Sequence, residues 1–281
     1  MTKTVQEVLQ WAVLELANTD NAKLDAEVLL AETLEQSRTW LKTWSDKPIS
    51  EQQLAQFKAY IGRRQQGEPV AYIVGRQDFW TLSLKVTPAT LIPRPETEHL
   101  VESVLSKAPH DQPLNIVDLG TGTGAIALAI ASERPQCQVW AMDVSDEALA
   151  VAEHNRQQLQ LENVTCRKGH WLRNWTGEGF DLIVSNPPYI EPNDPHLKDL
   201  TYEPISALVA DDDGLSDIKE ITEQAMLHLK AGGWLMLEHG YNQGGVVRHI
   251  LQTQGFACVE TEADYAGLDR VTYGQKLNFK R

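Results

Sequence analysis

The chain has 281 residues and a formal net charge of −14, from 25 Lys and Arg against 39 Asp and Glu. That length suits a main domain with a smaller one attached, and the acidic balance argues against a protein whose main task is to grip a phosphate backbone. No run is apolar enough for a membrane span, and the polar start Met1-Thr2-Lys3-Thr4 resembles neither a secretory signal nor an Arg-rich organellar leader, so a cytoplasmic protein is expected.

Residues 4–66 read as helices. Thr4 with Glu7 makes a capping-box pattern ahead of Val5, Val8, Leu9, Ala12, Val13 and Leu16 at helical spacing. Asn18 to Asn21 make a turn. Leu24, Val28, Ala31 and Leu34 fall on one face of a second helix, and Ser50 with Gln53 caps another that carries Leu54, Phe57 and Ile61. Gly67-Glu68-Pro69 ends it. Ala71 to Val74, Gly75 and the alternation Leu82, Leu84, Val86 together read as a short β-hairpin linking two domains. The boundaries expected are 1–75 for the helical domain, 76–92 for the hairpin linker and 93–281 for the main domain.

From Pro93 the pattern alternates strands and helices. Pro95 suits the first position of a helix bearing Leu100, Val101, Val104 and Leu105. Then follow strand 114–118, a glycine turn, helix 124–133, strand 137–142, helix 146–159, a short strand near 164–167, strand 180–185, helix 215–230 and strand 233–238. The tail, apolar over 255–260 and 271–279 around Gly267, reads as a closing antiparallel pair. Such alternation predicts an α/β domain with a mostly parallel sheet, whose ligands bind at the carboxyl ends of the strands. Cys137, Cys166 and Cys258 are widely spaced and form no CxxC, so neither a disulfide framework nor a metal site is expected.

Asp118-Leu119-Gly120-Thr121-Gly122-Thr123-Gly124 follows the first strand of this domain and opens a helix. Its spacing is GxGxG, one residue short of the dinucleotide pattern GxGxxG, which disfavours a pyrophosphate cofactor. A tight glycine turn lets the backbone approach a ligand closely and suits the methionine portion of S-adenosylmethionine. Asp143 ends the next strand, where it can accept hydrogen bonds from ribose hydroxyls, although a helix cap or surface acid looks the same in sequence. Trp171, or Trp175, can stack on adenine; core packing is the alternative for either.

Asn186-Pro187-Pro188-Tyr189 follows the apolar run 180–185 and reads as a loop delivered by a strand. The Asn186 side-chain carbonyl and the Pro187 backbone carbonyl can each accept one N–H of a planar –NH2 group, while Tyr189 lies against its face. Two prolines stiffen the loop and remove two backbone donors. The chemistry suggested is methylation of an amide or amino nitrogen; an ordinary Asn-Pro turn is the other reading. Nine acids against two lysines between Glu191 and Glu220 leave that segment at −7. It is either a solvated loop or a negative rim that repels nucleic acid and favours a basic protein partner.

With these motifs in one frame, the chain resembles the HemK/PrmC family, the release factor glutamine methyltransferases. The resemblance runs end to end and is carried by Leu91-Ile92-Pro93-Arg94-Pro95-Glu96-Thr97-Glu98, by Asp118 to Gly124, by Asn186 to Tyr189 and by Leu237-Glu238-His239-Gly240. It implies a class I, Rossmann-like methyltransferase domain with a helical N-terminal substrate-recognition domain, S-adenosylmethionine as donor and S-adenosylhomocysteine as product. The substrate it implies is the Gln of the Gly-Gly-Gln loop in peptide chain release factors. Carried across by motif, Gly120, Thr121, Gly122, Thr123, Gly124, Asp143, Trp171 and Asn186 would contact the cofactor. Asn186, Pro187, Pro188 and Tyr189 would hold the substrate, with Asn186, Pro187 and Tyr189 as the catalytic set. His170 stands where such enzymes often carry an acid, and Glu203, Glu238 and His239 are candidates for shaping the site. A monomer that binds neither nucleic acid nor membrane is expected. The rival functions are glutamine methylation of a ribosomal protein, amino methylation of adenine or cytosine in nucleic acid, a nonenzymatic adenosyl-cofactor or nucleotide sensor with residues 1–75 as its partner-binding module, and an NAD-binding oxidoreductase.

Overall fold

The computed structural model describes residues 3–277, and its contacts divide the chain into two compact units, Met1–Arg76 and Gln77–Arg281. The first unit is helical: α1 (Val5–Glu15), α2 (Ala22–Leu34), α3 (Arg38–Thr43), α4 (Glu51–Gln65) and α5 (Val70–Val74). Both expected capping boxes form, Thr4 with Glu7 on α1 and Ser50 with Gln53 on α4. Each satisfies backbone donors that the first helical turn leaves open, worth about 1 kcal/mol per cap. Val5, Val8, Ala12, Leu29, Leu30, Leu41, Phe57 and Ile61 make the core of this unit.

Two expectations for this unit need correction. The buried face of α2 is Ala26, Leu29, Leu30 and Thr33, whereas Leu24 is exposed. The helix meets α1, α3, α4 and α5, and the two acids drawn inward are neutralised, Asp25 by Arg64 at 2.8 Å and Glu27 by Arg38 at 2.6 Å. Residues 70–74 form a helix, not a strand. Pro69 presets the entry, its carbonyl accepts from the Tyr72 and Ile73 amides, and Gly75 ends the turn at φ 76°. The hairpin starts only at β1 (Arg76–Phe79), which pairs with β2 (Leu82–Lys85).

In the second unit Pro95 opens a 3-10 turn, Pro95–Thr97, that runs into α6 (Glu98–Lys107). The chain then alternates through β3 (Asn115–Leu119), α7 (Ala125–Glu133), β4 (Gln138–Asp143), α8 (Asp146–Gln158), β5 (Val164–Lys168) and β6 (Phe180–Ser185). Past a long loop come the short turn α9 (Asp211–Gly214), α10 (Ser216–His228), β7 (Leu229–Glu238), α11 (Gly244–Thr253), β8 (Ala257–Ala263) and β9 (Asp269–Gln275). The seven strands lie in the order β5-β4-β3-β6-β7-β9-β8. The first five pair in parallel, and β9 inserts antiparallel between β7 and β8. This is the α/β class I methyltransferase fold. The tail pairs as expected, except that residues 278 and 279 of the expected closing segment lie outside the described residues. Helix α11 was not anticipated; it packs on β8 and β9 through Val247 and Leu251.

Apolar layers cover both faces of the sheet. One is built on Ile116, Val139, Ala141, Leu182 and Val184 with α6 and α7, and the other on Val117, Leu119, Ile183, Leu235 and Leu237 with α10 and α11. Side chains alternate between faces, so the central strands are mostly apolar on both, as a doubly covered parallel sheet demands, with Asp118 as the buried exception within β3. Strand order reverses between β3 and β6. The loops leaving their carboxyl ends diverge there and open a crevice. Among the described residues no helix is long and apolar enough to cross a membrane, and no cluster of acids, His and Cys could hold a metal ion.

Candidate active site

The last residues of β3 and β6 are neighbours, with Leu119 opposite Ser185 and the Ser185 hydroxyl donating to the Leu119 carbonyl at 2.7 Å. The glycine loop and the Asn-Pro-Pro-Tyr loop therefore leave the sheet side by side. A cavity of about 460 Å3 opens above them, and Gly120, Gly122, Asp143, Trp171, Asn186 and Pro188 all line it. Pro88 to Leu91 and Pro204, Ser206 and Ala207 form further walls. Of the predicted site residues, Thr121, Thr123, Gly124, Pro187 and Tyr189 stand beside the cavity rather than in its wall.

The glycine loop turns under the cavity because its three glycines hold φ values of 72°, 56° and 86°, a region costly for any residue with a Cβ. A Cβ on Gly122 would project into open space, and one on Gly120 would come within 3.2 Å of the Trp171 ring. The Gly120 and Thr121 amides both donate to the Met142 carbonyl at 2.8 Å. Asp143 accepts from the Gly122 amide with one carboxylate oxygen and from the Ser145 amide with the other, each at 2.9 Å. A carboxylate has about four lone-pair directions, so two remain for a ligand.

Below the loop, Asp118 is fully buried. It accepts from the Thr121 hydroxyl at 2.5 Å and the Ala127 amide at 3.3 Å, while Oδ1 has no partner among the described residues. Burial dominates and pushes its carboxyl up to about 7. Trp171 takes φ 50°, with its ring edge-on to His170 at 5.8 Å and its indole N–H beside the Asp217 carboxyl. Trp175 is a core residue: it packs on Trp140 and Phe180, and its N–H donates to the Glu178 carbonyl at 3.0 Å. His170 is half exposed and lies 3.5 Å from Glu220.

In the second loop, Asn186 Nδ2 donates to Thr97 Oγ1 at 3.1 Å. The Glu238 carboxyl, which is 1% exposed, lies near the Thr97 and Asn186 side chains, and its Oε2 has no hydrogen-bond partner among the described residues. Desolvation carries Glu238 up to about 7 against the opposing pull of these side chains and of Arg270. The Tyr189 hydroxyl faces Arg270 and Glu238, and burial raises it to about 12, so it stays protonated at neutral pH. Gln243 clamps the backbone behind it: Nε2 donates to the Tyr189 carbonyl at 3.1 Å and the Asp213 carbonyl at 3.2 Å, while Oε1 accepts from Gly240 at 2.8 Å. Glu203 accepts from the Ile92 amide at 3.0 Å and from Arg94 Nη2 at 2.5 Å, tying the Ile92-Pro93-Arg94 segment to the acidic loop. His239 is buried between Thr272 Oγ1 at 2.7 Å and the Gly240 carbonyl at 2.9 Å, a structural placement.

Sequence reasoning assigned no role to Thr97, Gln243, Arg270 or Asp217. Thr97 lies within the Leu91–Glu98 motif, but nothing in its spacing marks it as the partner of Asn186. Gln243 and Arg270 had no signal.

The PrmC N-terminal domain model matches residues 7–75 and the methyltransferase small domain model matches residues 96–253. The release factor glutamine methyltransferase of Pseudomonas aeruginosa is 51% identical over 263 residues, covering 93% of this chain and 95% of that one. Its counterpart from Vibrio cholerae is 49% identical over 280 residues, 98% of each chain. Among solved structures, a methyltransferase from Pyrococcus furiosus aligns with a TM-score of 0.55 at 18% identity, covering 77% of this chain and 98% of that one, a likeness of fold alone. Identity at this level across both units has one consequence: the chain belongs to the release factor glutamine methyltransferase family.

Proposed function

We propose that the protein methylates the side-chain amide nitrogen of a glutamine, the Gln of the Gly-Gly-Gln loop of peptide chain release factors, with S-adenosylmethionine as donor. The observation that carries this reading is the orientation of Asn186. Its Nδ2 is engaged by Thr97, which leaves Oδ1 as the group it offers to the cavity. A planar nitrogen with two N–H bonds needs acceptors, and this residue and the Pro187 carbonyl are acceptors.

The residues present fit the donor. The cavity volume falls within the roughly 300–1,000 Å3 of small-molecule sites, and its floor at Gly122 is free of side chains. Gly120 and Gly122 would admit the methionine portion, the free lone pairs of Asp143 would accept from the ribose, and Trp171 would flank the base. When bound, S-adenosylmethionine supplies an electrophilic methyl group on a sulfonium. An amide nitrogen is a poor nucleophile because its lone pair is delocalised, so placement must carry much of the rate. Asn186 Oδ1 and the Pro187 carbonyl aim the nitrogen and stabilise the positive charge that grows on it. No side chain need act as base, since the N-methylated amide cation is acidic enough to release its proton to water. The helical N-terminal unit would recognise the protein substrate away from its reacting loop. The test is incubation with labelled S-adenosylmethionine and a release factor, DNA or RNA in parallel. Label on the release factor supports the reading; label on nucleic acid alone overturns it.

A further inference from the structure

Asn186, Asp143 and Trp171 line the cavity at the ends of three different strands, and the strand order spreads them in a row. Asn186 follows β6, Asp143 ends β4 and Trp171 lies three residues past β5, with β3 and its glycine loop between the first two. A donor whose methyl group faces Asn186 and whose ribose meets Asp143 therefore carries its base toward the β5 edge. There Asp143 is paired with Lys168, and the Gly169 amide donates to the Asp143 carbonyl at 3.0 Å. Val144 and the turn 169–171 thus leave the sheet together and wall that end of the cavity.

Adenine has one exocyclic donor, its N6 amino group, while its unsubstituted ring nitrogens only accept. A site that recognises the base through that amino group must offer an acceptor at this end. Two residues of the wall beside Trp171 can accept, His170 and Asp217. The His170 side chain is 45% exposed, and its Nδ1 lies 3.5 Å from Glu220, a carboxylate that does not line the cavity. Asp217 is placed by α10. Gln224 Oε1 accepts from the Leu172 amide at 2.7 Å, and Glu220 Oε1 accepts from Arg173 Nη2 at 2.7 Å. Residues 217, 220 and 224 recur at i, i+3 and i+7, one face of a helix. The face of α10 that grips the 170–173 turn therefore continues, one turn earlier, to Asp217 at the cavity wall.

We infer that Asp217 is the residue that selects the base of the cofactor: its carboxylate accepts a hydrogen bond from the N6 amino group of adenine. Helix α10 thereby supplies the acidic contact that His170 does not supply from the turn after β5. The inference rests on the reading of S-adenosylmethionine as donor. An acid that merely complements the positive end of a helix gains nothing from burial, yet Asp217 is half-buried, and desolvation raises its carboxyl above the ordinary value. Trp171 Nε1 is buried and has no hydrogen-bond partner among the described residues, so the indole does not occupy this carboxylate. A 6-oxopurine in the same pose would turn a carbonyl oxygen toward the carboxylate, two acceptors face to face, and is rejected.

The test needs no release factor. Calorimetry compares S-adenosylhomocysteine with S-inosylhomocysteine, the same molecule with a 6-oxo group in place of the amino group, on the wild type, Asp217→Ala, Asp217→Asn and His170→Ala. The wild type should favour the amino compound by about tenfold or more. Asp217→Ala should weaken S-adenosylhomocysteine about tenfold and leave S-inosylhomocysteine within about threefold. Asp217→Asn can turn its amide nitrogen toward an oxo group and should bring the two ligands to within about threefold of each other. His170→Ala should retain the preference. A preference that survives in the Asp217 variants, or that disappears in His170→Ala, would overturn the inference. Wild-type protein that binds both compounds equally would overturn it too and leave the donor reading standing, whereas wild-type protein that binds neither would defeat the donor reading itself.

Discussion

Replacing Glu203 by Ala tests whether one buried carboxylate organises the cavity walls. Glu203 is 3% exposed at its side chain and bonds the Ile92 amide and the Arg94 guanidinium, which is 35% exposed. Ile92 itself is 6% exposed, so its amide would lose its acceptor out of reach of bulk water. A buried donor left unsatisfied costs about 1–3 kcal/mol. Arg94 keeps part of its hydration, and losing its partner adds about 1 kcal/mol at most. The expected destabilisation is about 1–4 kcal/mol, read as a lower urea midpoint with an unchanged slope. Glu203→Gln keeps an acceptor for Ile92 and should cost under about 1 kcal/mol. Because Pro204, Ser206 and Ala207 and Pro88 to Leu91 line the cavity on either side of this tie, S-adenosylhomocysteine affinity should fall with Glu203→Ala as well. A change within about 0.5 kcal/mol, or equal losses for Ala and Gln, would refute the reasoning.

Other changes separate binding from chemistry. Asn186→Ala should lower kcat by about ten- to a hundredfold and leave cofactor affinity nearly intact by calorimetry, whereas Asp143→Ala should weaken the cofactor by unpinning the Gly122 and Ser145 amides. Gly214→Ala should loosen the substrate loop: at φ 75° its Cβ would lie 2.2 Å from the Tyr189 carbonyl, and thermal melting should show a loss of about 1–3 kcal/mol. Asp118 is raised in the folded state from 3.8 to about 7, so the folded form binds its proton more tightly. That contribution is complete below the unfolded value and is lost as pH rises through the folded one, a span of up to about 4 kcal/mol at 1.36 kcal/mol per unit. Asp118→Asn should flatten the decline in stability between those two values, measured by urea unfolding across pH.

What the sequence disclosed was whatever local pattern encodes. Capping boxes on α1 and α4, the strand-helix alternation and the glycine turn are each written within a few residues, and each formed where expected. The position of Asn186 beside the glycine loop also followed, because a parallel sheet brings the ends of β3 and β6 together. The partners that orient the site did not. Asn186 meets Thr97 across 89 residues, Arg94 meets Glu203 across 109, and Gln243 meets Tyr189 across 54. No periodicity reports such pairings, since each depends on which side chains the folded sheet brings together. Helix α5 was misread for a different reason: five residues are too few to distinguish a helical from an extended period, and its Pro69 and Gly75 boundaries suit either. The acidic segment hid a difference in kind, because Glu203 is a buried tether while Asp212 pairs with Lys219 at the surface.

The most direct test of the proposed activity is tandem mass spectrometry of a release factor after reaction with the protein and S-adenosylmethionine. The account predicts one added methyl group on the side-chain amide of the Gly-Gly-Gln glutamine, absent when Asn186→Ala replaces the wild type. A methyl group on any other atom, or undiminished modification by Asn186→Ala, would contradict it.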